Sequence, residues 1–174
     1  MNRQKISMWI AAAVLFVSAS PSGAAEALPT ALQPPAGYTV AFTAKASGVQ
    51  IYTSTAEAGA PKWIFDAPLA ELTSSAGVIH HYAGPSWEAA DGSKVTRDTA
   101  SPVVTVPATQ ASRDIPWLLI KVVADPAAGS LSKVGYVQRI STQGGVAPST
   151  PPVRAGTKIG VPYTATYVFY TKSD

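Results

Sequence analysis

Apolar and polar residues alternate with a period of two along segment after segment of this chain. Tyr38, Val40 and Phe42 are interleaved with Thr39, Ala41 and Thr43, and Val49 and Ile51 with Gln50 and Tyr52. Trp63 and Phe65 alternate with Lys62, Ile64 and Asp66; Tyr163, Ala165, Tyr167 and Phe169 alternate with Thr164, Thr166 and Val168. A strand sends successive side chains to opposite faces, so this pattern demands β structure rather than helix. Further strands are predicted at 78–82, 94–97, 103–106 and 134–140. The run Trp117-Leu-Leu-Ile-Lys-Val-Val123 is apolar on both faces apart from Lys121. It is short for a helix, lies between Pro116 and Asp125-Pro126, and fits a strand covered on both sides. Residues 66–72 read as one helical turn, capped by Asp66 with Pro68 early in it.

Turn chemistry separates these runs: Ala-Gly-Ala-Pro at 58–61, Asp91-Gly92, Ala-Ala-Gly at 127–129 and Gly144-Gly145. The predicted fold is therefore all-β, a single-domain sandwich or barrel-like antiparallel sheet with long Pro/Gly-rich loops. The stretch 144–156 is expected to be a long loop before the last strand. Residues 26–37 read as a Pro-rich extended lead-in, and 38–174 as one β-rich domain. At 174 residues the chain has room for one domain.

The first 25 residues read as a secretory signal peptide. Arg3 and Lys5 precede an apolar stretch over 6–17, and small residues follow through Ala25. Cleavage is expected after Ala25, with Ala27 as the alternative. The apolar stretch is short of the ~20 residues that a membrane span wants, so no stable membrane anchor is expected once the leader is removed. The expected destination is periplasmic or extracellular. The leader holds two of the 13 basic residues and none of the 10 acidic ones, which leaves the remainder near +1. No cluster of Lys or Arg remains to follow a phosphate backbone, so nucleic acid is not an expected partner.

The chain has no Cys, which excludes thiol nucleophiles, thiolate metal sites and disulfides. Its single Asn is Asn2, and no phosphate-binding or dinucleotide glycine motif is present. No cofactor and no metal site is indicated. Chemistry concentrates between His80 and Ser93, which includes His81, Trp87, Glu88 and Asp91. On a strand His80 and His81 face opposite ways, His81 with Ile79 and His80 with Val78 and Tyr82. His81 could act as a base oriented by Glu88 or Asp91. The competing reading is structural: a His bonded to a loop carbonyl, Trp87 in the core, and Asp91-Gly92-Ser93 as a hairpin turn. Elsewhere Arg139 carries a planar fork suited to the carboxylate of an anionic ligand; the competing reading is an edge-strand residue or the partner of an internal carboxylate. Tyr163, Tyr167 and Tyr170 could wall a ligand pocket, or close the core.

Several phrases occur in one order: Gly48-Val-Gln-Ile-Tyr52, Trp63-Ile-Phe65 with Ala67-Pro68, and His81-Tyr-Ala-Gly-Pro85 with Trp87 and Asp91-Gly-Ser93. They continue with Ile115-Pro-Trp-Leu-Leu119, Val137-Gln-Arg-Ile140 with Gly144-Gly145-Val-Ala-Pro148, and Val161-Pro-Tyr163 with Tyr167-Val-Phe-Tyr170. In these phrases, from about Pro35 to Tyr170, the chain resembles the domain of unknown function 3455 family of exported bacterial and fungal proteins. The resemblance implies export but no defined activity. The malate dehydrogenase label of some relatives finds no dinucleotide fingerprint here. Where many relatives have a Cys after Gln-Ile-Tyr and another after Ala-Pro, this chain has Thr53-Ser54 and Thr150-Pro151-Pro152. A pairing of those cysteines, as the resemblance implies it, is not available to this chain.

Taken together, the expectation is an exported β-rich module that binds a small molecule or serves the cell envelope, with binding favoured over catalysis. The expected site is a groove near His81, Trp87 and Arg139, with Tyr163 and Tyr167 as further candidates. The alternative is a cofactor-free hydrolase or lyase that uses His81 as base with Glu88 or Asp91. Oligomeric state is left open.

Overall fold

The computed structural model describes residues 28–57, 60–75 and 77–173; the expected signal peptide lies outside them. Nine strands follow in order: β1 (Tyr38–Glu57), β2 (Ala60–Ser74), β3 (Gly77–Tyr82), β4 (Ser86–Ala89), β5 (Lys94–Arg97), β6 (Val104–Val106), β7 (Trp117–Ala124), β8 (Val134–Gly144) and β9 (Lys158–Lys172). They form one antiparallel sheet in the order β5-β4-β3-β2-β1-β9-β8-β7-β6, and β5 also pairs with β7. That second pairing closes eight of the strands into a barrel, with β6 alongside β7 outside the ring. The all-β expectation thus holds, in its barrel form.

Alternation decides what goes inside. From β1, Ala44, Ala46, Gln50, Tyr52 and Ser54 are buried, while their neighbours in between face outward or lie half-buried. From β9, Tyr163, Ala165, Tyr167 and Phe169 join the same core, against Leu72, Ile79, Trp87, Val95 and Val137. Phe42 stacks on Phe169 with ring centroids 4.6 Å apart. The small residues Ala44, Ala46 and Ala165 leave room for these rings.

A second apolar cluster lies on the outer face of β7 and its neighbours. Trp117 and Leu119 point there, packed with Leu32, Ala108, Val104, Tyr136 and Ile140. This explains why 117–123 reads apolar on both faces: the barrel buries one and the lead-in covers the other. The lead-in is not extended throughout, as its prolines suggested. Thr30–Leu32 forms a 3-10 turn, Leu32 is fully buried, and its carbonyl accepts a hydrogen bond from Gln138 Nε2 at 2.6 Å. Covering an otherwise wet apolar face outweighs the extended preference of the prolines flanking the turn.

Residues 66–72 also depart from expectation: they belong to β2, not to a helical turn. They pair in register with β1, from Ile51↔Ala67 to Ala46↔Leu72. Pro68 is tolerated because β3 pairs with β2 only from Ala70 onward, so the missing N–H disrupts no ladder on that side. Tertiary pairing here overrides a local cap signal.

One end of the barrel is closed by the segment before β8. Leu131 is fully buried, its amide donates to Ser93 Oγ at 3.0 Å, and the Ser130 amide donates to Asp91 Oδ2 at 2.7 Å. The Ser130-Leu-Ser-Lys133 segment is thus a turn that plugs the barrel. The loop between β8 and β9 is held at the other end through Ser54, whose Oγ donates to the Arg154 carbonyl and accepts from the Thr157 amide.

Candidate functional site

Toward the end away from the Leu131 plug, the barrel interior is not filled. A cavity of about 320 Å³ lies there, walled by Phe65, Pro68, Leu118, Ile120 and Val137. Phe65 is half exposed and stands at its rim. Polar groups converge on the same space from separate strands: Gln50 from β1, His81 from β3, Arg139 from β8 and Tyr167 from β9. Trp87 of β4 completes the wall.

The pleat positions each of them. His81 and Trp87 are opposite one another across β3 and β4, so both side chains point inward. Their rings stack with centroids 4.5 Å apart and planes 8° from parallel, and Tyr167 meets His81 edge-on at 5.4 Å. His81 Nδ1 lies 2.8 Å from the Ser86 carbonyl, which can only accept, so Nδ1 carries the proton and Nε2 the lone pair. Burial drives the imidazole down to about 4, against the pull of the Ser86 carbonyl, and the nearby Arg139 charge adds to the effect. At neutral pH His81 is therefore uncharged.

Arg139 is 8% exposed. Its Nε and Nη2 both donate to the Pro116 carbonyl, at 3.3 and 2.8 Å, and Tyr167 lines the same cavity. Among the described residues no carboxylate pairs with this guanidinium, and none lines the cavity. Tyr167 and Tyr163 share a hydrogen bond of 3.2 Å between their hydroxyls. Burial raises both phenols above their ordinary value, so both stay protonated. Two buried donors, Gln50 Nε2 and Trp87 Nε1, find no acceptor. Each such group left alone costs about 1–3 kcal/mol.

The structure brings His81, Trp87, Arg139 and Tyr167 together. Tyr163 does not line the cavity but supports Tyr167 from behind. Glu88 and Asp91 stand elsewhere. Glu88 pairs with His80 on the outer face and accepts a hydrogen bond from the Tyr82 hydroxyl. Asp91 is spent on the β4–β5 turn and the plug, through Ser93 and Ser130. Neither is hydrogen-bonded to His81, whose Nδ1 is held by the Ser86 carbonyl. Sequence reading missed the apolar wall, Leu118, Ile120, Pro68 and Phe65. The alternation of β7 could have supplied the first two; no local signal supplies the others. Among the described residues no group of three potential metal-binding side chains exists, and no helix is long and apolar enough to cross a membrane.

Fold and site together define a closed antiparallel β-barrel with an internal apolar cavity, polar at one side. By sequence the chain belongs to the family described as "Protein of unknown function (DUF3455)", whose model matches residues 73–171, more than half of its length. No curated protein and no solved structure matches the chain.

Proposed function

We propose that this protein is an exported binding module that takes up one small, largely apolar molecule in the barrel cavity. The observation that carries the reading is the unfilled interior around Arg139, His81 and Trp87, in a fold whose remaining core is packed. An eight-stranded barrel is wide enough to be filled by side chains or to hold a single small ligand. Ligand sites combine apolar walls with a few convergent polar groups, and the cavity is at the small end of their range. Export rests on the basic, apolar and small-residue layout of residues 1–25. Binding is favoured over catalysis because a base depressed to about 4 is poorly matched to proton abstraction at neutral pH, and His81 has no orienting carboxylate.

The test is a titration of the chain from Glu26 onward with the neutral dye N-phenyl-1-naphthylamine. Saturable binding at one site per chain is expected, with emission shifted to the blue. Leu118→Trp, which fills the cavity from its wall, should abolish that binding while the thermal transition is kept. A signal that does not saturate, or that survives Leu118→Trp in folded protein, would overturn the reading.

A further inference from the structure

Arg139 is the group in this barrel that the fold itself does not explain. A guanidinium has five N–H donors and cannot lose its charge. Here its hydrogen-bond partner is one uncharged carbonyl, inside a wall of Phe, Pro, Leu, Ile and Val. Burying a cation without an anion is expensive, and a methionine of similar length would fill the same space without that cost. The Pro116 carbonyl occupies the Nε–Nη2 edge. That leaves the outer Nη1–Nη2 end of the fork, on a residue that lines the cavity.

The surroundings narrow the class of anion. One cation with no second charged side chain in the cavity lining at neutral pH suits a single negative charge better than a phosphate dianion. Gln50 Nε2 and Trp87 Nε1 are further donors without acceptors, buried in residues of the same lining. His81 contributes no charge, so Arg139 dominates the field. A space of about 320 Å³ accommodates on the order of ten water-sized groups, enough for a short chain or a fused ring pair with its head group.

Resting on the binding reading above, we propose that the ligand is a small apolar carboxylic acid, bound as its anion with the carboxylate on Arg139 and the hydrocarbon body against Leu118, Ile120 and Phe65. The apolar wall supplies contact area, and the charge-assisted pair supplies selectivity for acid over neutral analogue. The lone guanidinium is retained because the ligand completes it.

The experiment compares three probes with one ring system, 2-naphthoate, 2-naphthamide and 2-naphthyl phosphate, by isothermal titration at pH 7.5. Wild-type protein should bind naphthoate about tenfold to a hundredfold more tightly than naphthamide, and more tightly than the phosphate. Arg139→Gln should bring naphthoate down to the level of naphthamide and leave naphthamide within about threefold of wild type. Arg139→Met serves as the second variant where Arg139→Gln fails to fold, and the wild-type comparison needs no variant. Equal affinity for acid and amide, with saturable dye binding intact, overturns the carboxylate assignment and leaves the cavity reading standing. Tighter binding of the phosphate overturns it as well. Failure of all three probes together with the neutral dye overturns both.

Discussion

His81 is a buried imidazole whose environment makes a sharp statement about pH. The unfolded side chain takes up a proton near its ordinary 6.5, whereas the folded one resists until about 4. Between those values the unfolded state holds more protons, so stability present at neutral pH is lost as the solution is acidified through that window. Each pH unit inside it costs about 1.4 kcal/mol, so the loss approaches roughly 3 kcal/mol by pH 4. Among the rings packed around it, Tyr167 is held above its ordinary value and the Trp87 indole has no titratable group in this range. Asp98 and Asp114 are held below the ordinary aspartate range by Lys121 and Arg113 respectively, so their contribution disappears only at lower pH. Urea denaturation at a series of pH values should show this decline in wild type and a much flatter one in His81→Gln. An equal slope in both would show that another group is responsible.

The same residue shows how much of the site was legible beforehand. Strand alternation separated His81 from His80 and placed it with Ile79, and the structure buries both Ile79 and His81. Arg139 and Trp87 were recognisable because a guanidinium and an indole amid strand residues are conspicuous types. Glu88 and Asp91 were attached to His81 because they are close in sequence. The pleat turns Glu88 outward, and the Asx-type turn consumes Asp91. Gln50 shows the converse: alternation set it with Tyr52 opposite Val49 and Ile51 without saying which pair faces inward, and it is 3% exposed beside Tyr52 and Ser54. Which face of β1 is inner is settled by closure of the ring, which no local pattern encodes.

At the scale of elements, the weak joint is the loop between β8 and β9, whose 145–157 span carries three prolines and little regular pairing. Ser54 of β1 ties it down. Its Oγ donates to the Arg154 carbonyl at 2.6 Å and accepts from the Thr157 amide at 3.0 Å, while its backbone exchanges hydrogen bonds with Thr157 and Gly156. Ser54 is 1% exposed, so water does not readily replace these bonds. The resemblance to cysteine-bearing relatives implied a covalent link from this part of β1; here hydrogen bonds hold the loop instead. Ser54→Ala leaves the Thr157 amide without its side-chain acceptor, at an expected cost of about 1–3 kcal/mol. Limited proteolysis should then cut near Arg154 well before the barrel unfolds. Unchanged cleavage would mean that the backbone bonds alone suffice.

For the whole molecule, closure is the feature on which both stability and function depend. The seam between β5 and β7 has three residue pairs, Val95↔Ala124, Thr96↔Val123 and Arg97↔Val122. Beyond its ends the Asp98 amide donates to the Lys121 carbonyl and the Asp125 amide to the Lys94 carbonyl, and Lys121 pairs with Asp98 at 3.0 Å. Cross-strand bonds recur every two residues in an antiparallel ladder, so the Thr96 amide also faces β7. A proline at position 96 removes that donor at the centre of the seam. Opening it would expose two strand edges, which pair readily with other chains. β6, the short strand outside the ring, is bounded by Pro102 and Pro107 nearby, which blunt its own free edge. Thr96→Pro should therefore lower the denaturation midpoint, weaken dye binding in the cavity, and shift the protein toward higher mass in light scattering after size exclusion. A variant that keeps wild-type mass, midpoint and dye affinity would show that the other seven junctions hold the barrel without this one.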